Sequence, residues 1–201
     1  MAAEAGRLKL RAVTADDAAA IAAIYAPYVE NSIVSFETEA PNAAAIRERI
    51  EAGGALYPWL AAVDEQDAIL GYAYATAFRP RPAYRYTVET TVYVRQGLHR
   101  RGIGSLLYRP LLAILEAQGF TQAFGAISLP NPASAALHER LGFLRAGTYK
   151  QVGWKQGGWW DVGLWQRALA PPTVPPAEPK PWREVAALRA TLPDPLILSR
   201  D

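Results

Sequence analysis

A mixed α/β domain is what the sequence predicts, on three observations. Short alternating runs rich in β-branched and aromatic residues recur along the chain, and two of them are joined by a polar turn as a hairpin. Between such runs lie segments with apolar residues at helical spacing. One alternating run, "VETTVYVR", passes through a basic, glycine-containing turn directly into an apolar helix.

The elements follow in order. "LKLRAV" (8–13) alternates and reads as a first strand. "TADDAAAIAAIYAPYVEN" is a helix, with Thr14 and Asp17 as a capping box and Ile21, Ile24, Tyr25 and Tyr28 as its stripe. A second helix is expected in "PNAAAIRERIEAGG", stopped by Gly53–Gly54. "PWLAAV" and "ILGYAYATAF" form a hairpin through "DEQD". The loop "RPRPAYRY" leads into a strand at 87–95. Ile103, Leu107, Leu111, Ile114 and Leu115 mark a helix ending at Gly119. Pro110 inside it removes one backbone donor and predicts a kink or a broken turn. "TQAFGAIS" is a strand and "NPASAALHERLGF" a short helix ending at Gly142. Two last strands are expected near 143–153 and 160–167.

Composition limits the function. The chain has 201 residues, 51% apolar and 20% charged, which suits one globular domain with a core of useful size. A net charge of +2 gives no general electrostatic case for nucleic acid. The absence of cysteine excludes disulfides, cysteine-ligated zinc and a cysteine nucleophile, and two histidines are too few for a histidine-rich metal site. No metal is expected. "MAAEAGRLKLRAV" lacks an apolar leader and no run approaches a membrane span, so a cytoplasmic protein is expected. From Ala170 "APPTVPPAEPKP" is proline-rich and reads as extended chain. It precedes a short amphipathic segment of Val185, Leu188 and Leu192 that docks on its own domain or binds a partner. The expected division is a domain at 1–169 and a tail at 170–201.

Two features carry chemistry. "HRRGIGSLL" follows a strand and opens a helix, whose first N–H groups lack internal partners and whose dipole adds positive character. Glycines let backbone approach an anion, so Gly102 and Gly104, with Ile103 and Ser105, can cradle a pyrophosphate, with Arg95, Arg100 and Arg101 drawing further phosphate. Neither a P-loop nor a dinucleotide fingerprint is present, and an ordinary βα turn with solvated arginines is the alternative. In the preceding strand Val88, Thr90, Val92 and Val94 share one face, and Glu89, Thr91 and Tyr93 the other. Glu89 is either a solvated glutamate or, next to an acyl donor, an acceptor for an amine's proton.

The ordered set "SFETE", "YPWLAA", "GYAYATAFRPRPAYRYTVETTVYV", "RRGIGSLLY", "LEAQGF", "LPNPAS", "LHERLGF" and "DVGLWQ", from about residue 8 to 167, resembles the GNAT superfamily of acetyl-CoA-dependent N-acetyltransferases. It is closest to the phosphinothricin N-acetyltransferase group, which includes methionine sulfoximine and sulfone acetyltransferases. The resemblance implies a central, mostly antiparallel sheet flanked by helices, and direct acetyl transfer from acetyl-CoA. The motif Gln/Arg-x-x-Gly-x-Gly/Ala reads here His99-Arg100-Arg101-Gly102-Ile103-Gly104, with His99 departing from the pattern. The resemblance gives Val92, Tyr93 and Val94 the pantetheine arm, Asn131 and Ser134 further donor contacts, Glu89 the general base, and His138 the place of an acid that is tyrosine in many relatives. Substrate contacts are expected from Arg81, as a carboxylate fork or else a solvated loop charge, with Tyr84, Phe36, Thr91 and Glu89; Arg79 reads as a solvated charge or a second fork. The Trp-rich "VGWKQGGWWDVG" resembles the segment that closes the substrate site, and relatives are often homodimers. The expected substrate is a small amino-acid-like molecule. Another amine, such as a protein N-terminus, and a non-catalytic acetyl-CoA sensor are the alternatives.

Overall fold

The computed structural model describes residues 8–185. Seven strands form one open sheet in the order β1-β2-β3-β4-β5-β7-β6. They span Lys9–Ala12 (β1), Trp59–Val63 (β2), Ile69–Ala77 (β3), Thr87–Val94 (β4), Gln122–Leu129 (β5), Leu144–Lys155 (β6) and Gly158–Ala168 (β7). Every neighbouring pair is antiparallel except β4 and β5. The helices are α1 (Ala18–Asn31), α2 (Ala43–Gly53), α3 (Ile103–Gln118) and α4 (Pro132–Arg140). The mixed α/β class and the mostly antiparallel sheet agree with the sequence.

Strand alternation distributes the core. Trp59, Ala61 and Val63 of β2 point to the side covered by α1 and α2, with Ile21, Ile24 and Val29. Leu60 and Ala62 point to the side covered by α3, with Leu107, Leu111, Leu112 and Leu115. Each such leucine contributes about 1.5–3 kcal/mol on burial.

Local chemistry sets the ends. The Asp17 carboxylate accepts the Thr14 N–H at 2.8 Å and is also gripped by Arg11 at 2.8 Å. A short 3-10 turn at Ala15–Asp17 precedes α1. Asn42 caps α2 through Ala45 N–H, and Asn131 caps α4 through Ser134 N–H. Gly119 ends α3 with φ 93°, a left-handed conformation. Of the kink or broken turn expected at Pro110, the broken turn does not occur: α3 runs without a break through it. The proline removes a single bond, while Pro110 itself and its neighbours Leu111 and Leu112 are buried, and that packing holds the helix.

Beyond β7 the chain returns across the domain. Arg85 pairs with Glu178 at 2.7 Å, Lys180 N–H donates to Gln118 O, and Trp182 is buried with its N–H on Ala55 O. Val185 packs on the α3-side core. Leu188 and Leu192 lie outside the described residues.

Candidate active site

The parallel pairing of β4 with β5 covers only Thr87–Gln122, Val88–Ala123 and Glu89–Phe124. β4 then continues to Val94 and β5 to Leu129 without pairing, so a wedge opens between them. Thr90 Oγ1 donates to Phe124 O at 3.1 Å and pins its apex. A cleft of about 50 Å³ occupies the wedge, lined among others by Val92, Tyr93, Tyr108, Ser128, Ser134 and His138. A larger cavity of about 450 Å³ lies between α2, Trp59 and Trp182, and none of the expected site residues lines it.

The register decides what the wedge offers. Arg95 N–H donates to Leu70 O, so the narrow pairs of β3 and β4 fall at Tyr93, Thr91 and Glu89. The alternate residues, Val88, Thr90, Val92 and Val94, therefore turn their backbone N–H and C=O toward β5. Val94 O is taken by the Tyr28 hydroxyl and Thr90 O by the Tyr108 hydroxyl, as that parity requires. The N–H of Val92 is left facing the open cleft. It is a backbone donor open to a carbonyl oxygen placed between the strands.

Glu89 stands at the apex on the α1 side, opposite Thr76 on β3 and Phe124 on β5. Burial raises its pKa above the usual carboxylate range, and the charge of Arg79 opposes that rise. His138 lies on the other side of the sheet, over Gly125, where an added Cβ would stand 2.5 Å from its Nε2. Its Nδ1 is 2.8 Å from Ser134 O, which can only accept, so Nδ1 carries hydrogen. Burial lowers its pKa, leaving it neutral at neutral pH with Nε2 as an acceptor. The fully buried Tyr108 hydroxyl lies 3.1 Å from that nitrogen and 3.1 Å from Thr90 O. Its one hydrogen serves two acceptors. A carboxylate and a phenol–imidazole pair thus flank the same apex from opposite faces.

The remaining predicted residues divide into two groups. Thr91 sits beside the Tyr74 hydroxyl on the Glu89 face. Tyr84 packs edge-on against Phe78 at 5.8 Å, and Phe78 stacks on Phe124 at 4.4 Å, so an aromatic wall leads to the apex. Phe36 lies on Gly153, where a Cβ would be 2.4 Å from its ring. Arg81 is exposed just before the turn Pro82–Tyr84, and no carboxylate pairs with it among the described residues. Arg79, not Arg81, carries the field that reaches Glu89. On the other side Gly102, with φ 78°, caps the N-terminus of α3 without a side-chain bond. The N–H groups of Ile103, Gly104 and Ser105 therefore stay free of a capping side chain. Arg100 and Arg101 are exposed beside them, and Arg95 is held by Ile69 O. These features fit a pyrophosphate. His99 donates from Nε2 to Tyr28 at 2.7 Å, because the Tyr28 hydrogen goes to Val94 O. That bond draws it back to the domain.

Three side chains at the site escaped the sequence. Tyr108 lies within the apolar stripe of α3 and reads there as core. Ser128 looks like an ordinary strand serine. Lys155, in the Trp-rich segment, is buried with Nζ at 2.5 Å from Val29 O and 2.6 Å from Ser35 O. No local pattern announces any of these contacts.

An open, mostly antiparallel sheet whose one parallel pair parts beside a glycine-capped helix is an architecture suited to an acyl-CoA-using transferase. The chain matches the acetyltransferase (GNAT) domain family over residues 10–164 and belongs to it. It is 42% identical over 188 residues to a phosphinothricin N-acetyltransferase of Streptomyces viridochromogenes, covering 94% of this chain and 100% of that one. It is also 42% identical over 97 residues, 48% of this chain and 56% of the other, to an L-methionine sulfoximine/L-methionine sulfone acetyltransferase of Pseudomonas paraeruginosa. A crystal structure of a phosphinothricin acetyltransferase from Sinorhizobium meliloti in complex with AcCoA superposes with a TM-score of 0.80, at 37% identity, over 87% of this chain and 94% of that one. Among the described residues no helix is long and apolar enough to cross a membrane, and no cluster of three metal-ligating side chains occurs.

Proposed function

We propose that this acetyltransferase moves the acetyl group of acetyl-CoA to the α-amine of an amino-acid-like substrate of phosphinothricin, methionine sulfoximine or methionine sulfone type. The observation that carries the reading is the wedge at Glu89 and Phe124, with a base on one face and a hydrogen-bond donor on the other. The names of the relatives support the substrate class.

The free α-amine is mostly protonated at neutral pH and cannot attack a thioester. Glu89 takes that proton, directly or through water, and its raised pKa suits the task. The nitrogen then attacks the carbonyl carbon. Charge gathers on the carbonyl oxygen, which accepts from Val92 N–H. The C–S bond breaks and the thiolate, with a pKa of roughly 8.5, departs with little help. The Tyr108 hydroxyl, rather than His138 itself, holds the hydrogen nearest the cleft and can steady the departing sulfur by a hydrogen bond. His138 orients that hydroxyl, and the thiolate takes its proton from water. The first turn of α3 with Arg100, Arg101 and Ser105 receives the pyrophosphate, and Asn131 and Ser134 border the arm. Arg81 reads the substrate carboxylate, with Phe36, Tyr84 and Thr91 around the side chain. The exposed Tyr149, Val152, Trp154 and Trp159 support a homodimer as part of this reading, which sedimentation would test.

The test is an acetylation assay with acetyl-CoA against phosphinothricin, methionine sulfoximine, their decarboxylated amines and a peptide N-terminus. The carboxylates should be preferred severalfold, because Arg81 is exposed and an exposed ion pair contributes about 0.2–1 kcal/mol. In Arg81→Ala that preference should collapse. Equal use of acid and amine by the wild type overturns the substrate class, and a preference that survives the mutation removes Arg81 from the role.

A further inference from the structure

Three buried side-chain polar atoms lack any partner among the described residues: Trp59 Nε1, Gln118 Oε1 and Ser128 Oγ. Of the three residues only Ser128 lines the β4–β5 cleft. Ser128 is 6% exposed, and a buried hydroxyl without a partner is a standing cost. No group among the described residues pairs with it, although Thr91, Asn131 and Ser134 line the same cleft. Its partner on β7 is Val162, and the cleft around it presents Val34 and Ala126.

The register fixes which way it faces. Glu89 lies opposite Phe124, so both share the α1 face of the sheet. Ala126 and Ser128 have the parity of Phe124 and share that face with Thr91 and Tyr93. The proposed pyrophosphate seat and the Tyr108–His138 pair lie on the other face. Four residues, roughly 13 Å of extended chain, separate Phe124 from Ser128. The Glu89 side chain can reach along this face to meet the amine, and an amino acid held there with its side chain running along β5 turns its far end toward Ser128.

Resting on the function proposed above, we propose that Ser128 is a specificity-determining residue: its hydroxyl donates to a hydrogen-bond-accepting head group, such as a phosphinate, sulfoximine or sulfone oxygen, at the end of the substrate side chain. A thioether in the same place is a weak acceptor and gains little. Substrates with oxygen on that head should therefore be favoured over methionine.

The test compares wild type with Ser128→Ala on phosphinothricin, methionine sulfone, methionine and acetyl-CoA. KM for the first two should rise roughly tenfold. KM for methionine and for acetyl-CoA should stay unchanged. The melting temperature of the free protein should not fall, because the variant removes an unpartnered hydroxyl. A rise in the acetyl-CoA KM alone would assign the hydroxyl to the donor arm and overturn the proposal. So would a drop of several degrees in melting temperature, or equal effects on methionine and its sulfone. A wild type that acetylates no amino acid in the set overturns the underlying function instead, and the proposal with it.

Discussion

Glu89 is caught between burial and the base role proposed for it. Desolvation raises its pKa, and Arg79 pulls it back. The folded protein thus binds this proton more tightly than the unfolded chain. Stability from the group is present below the unfolded carboxylate range, about 4.3, and is lost as pH rises through the folded value. Glu89→Gln should therefore melt no lower than wild type at neutral pH, with any advantage vanishing toward pH 4. Turnover should fall on the order of a hundredfold. Scanning calorimetry across pH with matched kinetics tests both, and near wild-type turnover would remove the base. Arg79→Met should raise the Glu89 pKa further and move the acidic limb of kcat/KM to higher pH. A pH profile that does not move would show that Arg79 exerts no field at the apex. Glu89 was visible in the sequence because an acid interrupts a β-branched strand. Tyr108 was not, because a phenol in an apolar helical stripe has the pattern of core, and only the fold brings its oxygen to Thr90 and His138.

Among the elements, the loop from Ser32 to Glu37 forms the wall of the cleft, and its anchors come from afar. Lys155 Nζ holds Ser35 O, Ser35 Oγ meets Tyr25 at 2.6 Å, and Tyr25 and Arg49 hold Glu37 at 2.9 and 2.7 Å. Burial lowers the Lys155 pKa while Glu37 opposes it. Phe36 is seated by the bare backbone of Gly153. Gly153→Ala inserts a Cβ 2.4 Å from that ring, so the ring must leave its place. KM for the amine should rise severalfold while KM for acetyl-CoA holds, since the glycine turn at Gly102–Gly104 is untouched. Parallel rises in both would show that Phe36 does not belong to the amine pocket. Strands and helices were legible because their periods are local, and the hairpin between β2 and β3 was announced by its turn. The clamp on this loop was not, since it joins residues 120 positions apart. The broken turn, one of the two outcomes expected at Pro110, did not form for a related reason, as burial of the helix outweighed one missing bond.

At the scale of the whole molecule the returning chain ties together elements that the sheet alone leaves apart. Gln118 Nε2 donates to Lys180 O at 2.7 Å and to Leu56 O at 2.8 Å, joining the end of α3 to both the tail and the approach to β2. Trp182 adds Ala55 O and Gly54 O as acceptors and closes the α3-side core next to Tyr57 and Phe120. Composition marked this stretch as proline-rich and extended, which hid a core tryptophan among residues that carry no period. Removing that ring should therefore act on stability and not on chemistry. Trp182→Ala deletes a side chain 7% exposed, and such truncations cost about 3–5 kcal/mol. For a chain of this size the melting temperature should fall by roughly 6–20 °C. The wedge at Glu89 is built from β4, β5, α3 and α4, none of which Trp182 bonds, so kcat/KM at a temperature well below the transition should stay within about twofold of wild type. Calorimetry and steady-state kinetics on the same preparation decide it. An unchanged melting temperature would show that the tail does not hold the fold, and a large loss of kcat/KM in fully folded protein would show that α3 carries the change from Gln118 through to its glycine-capped end.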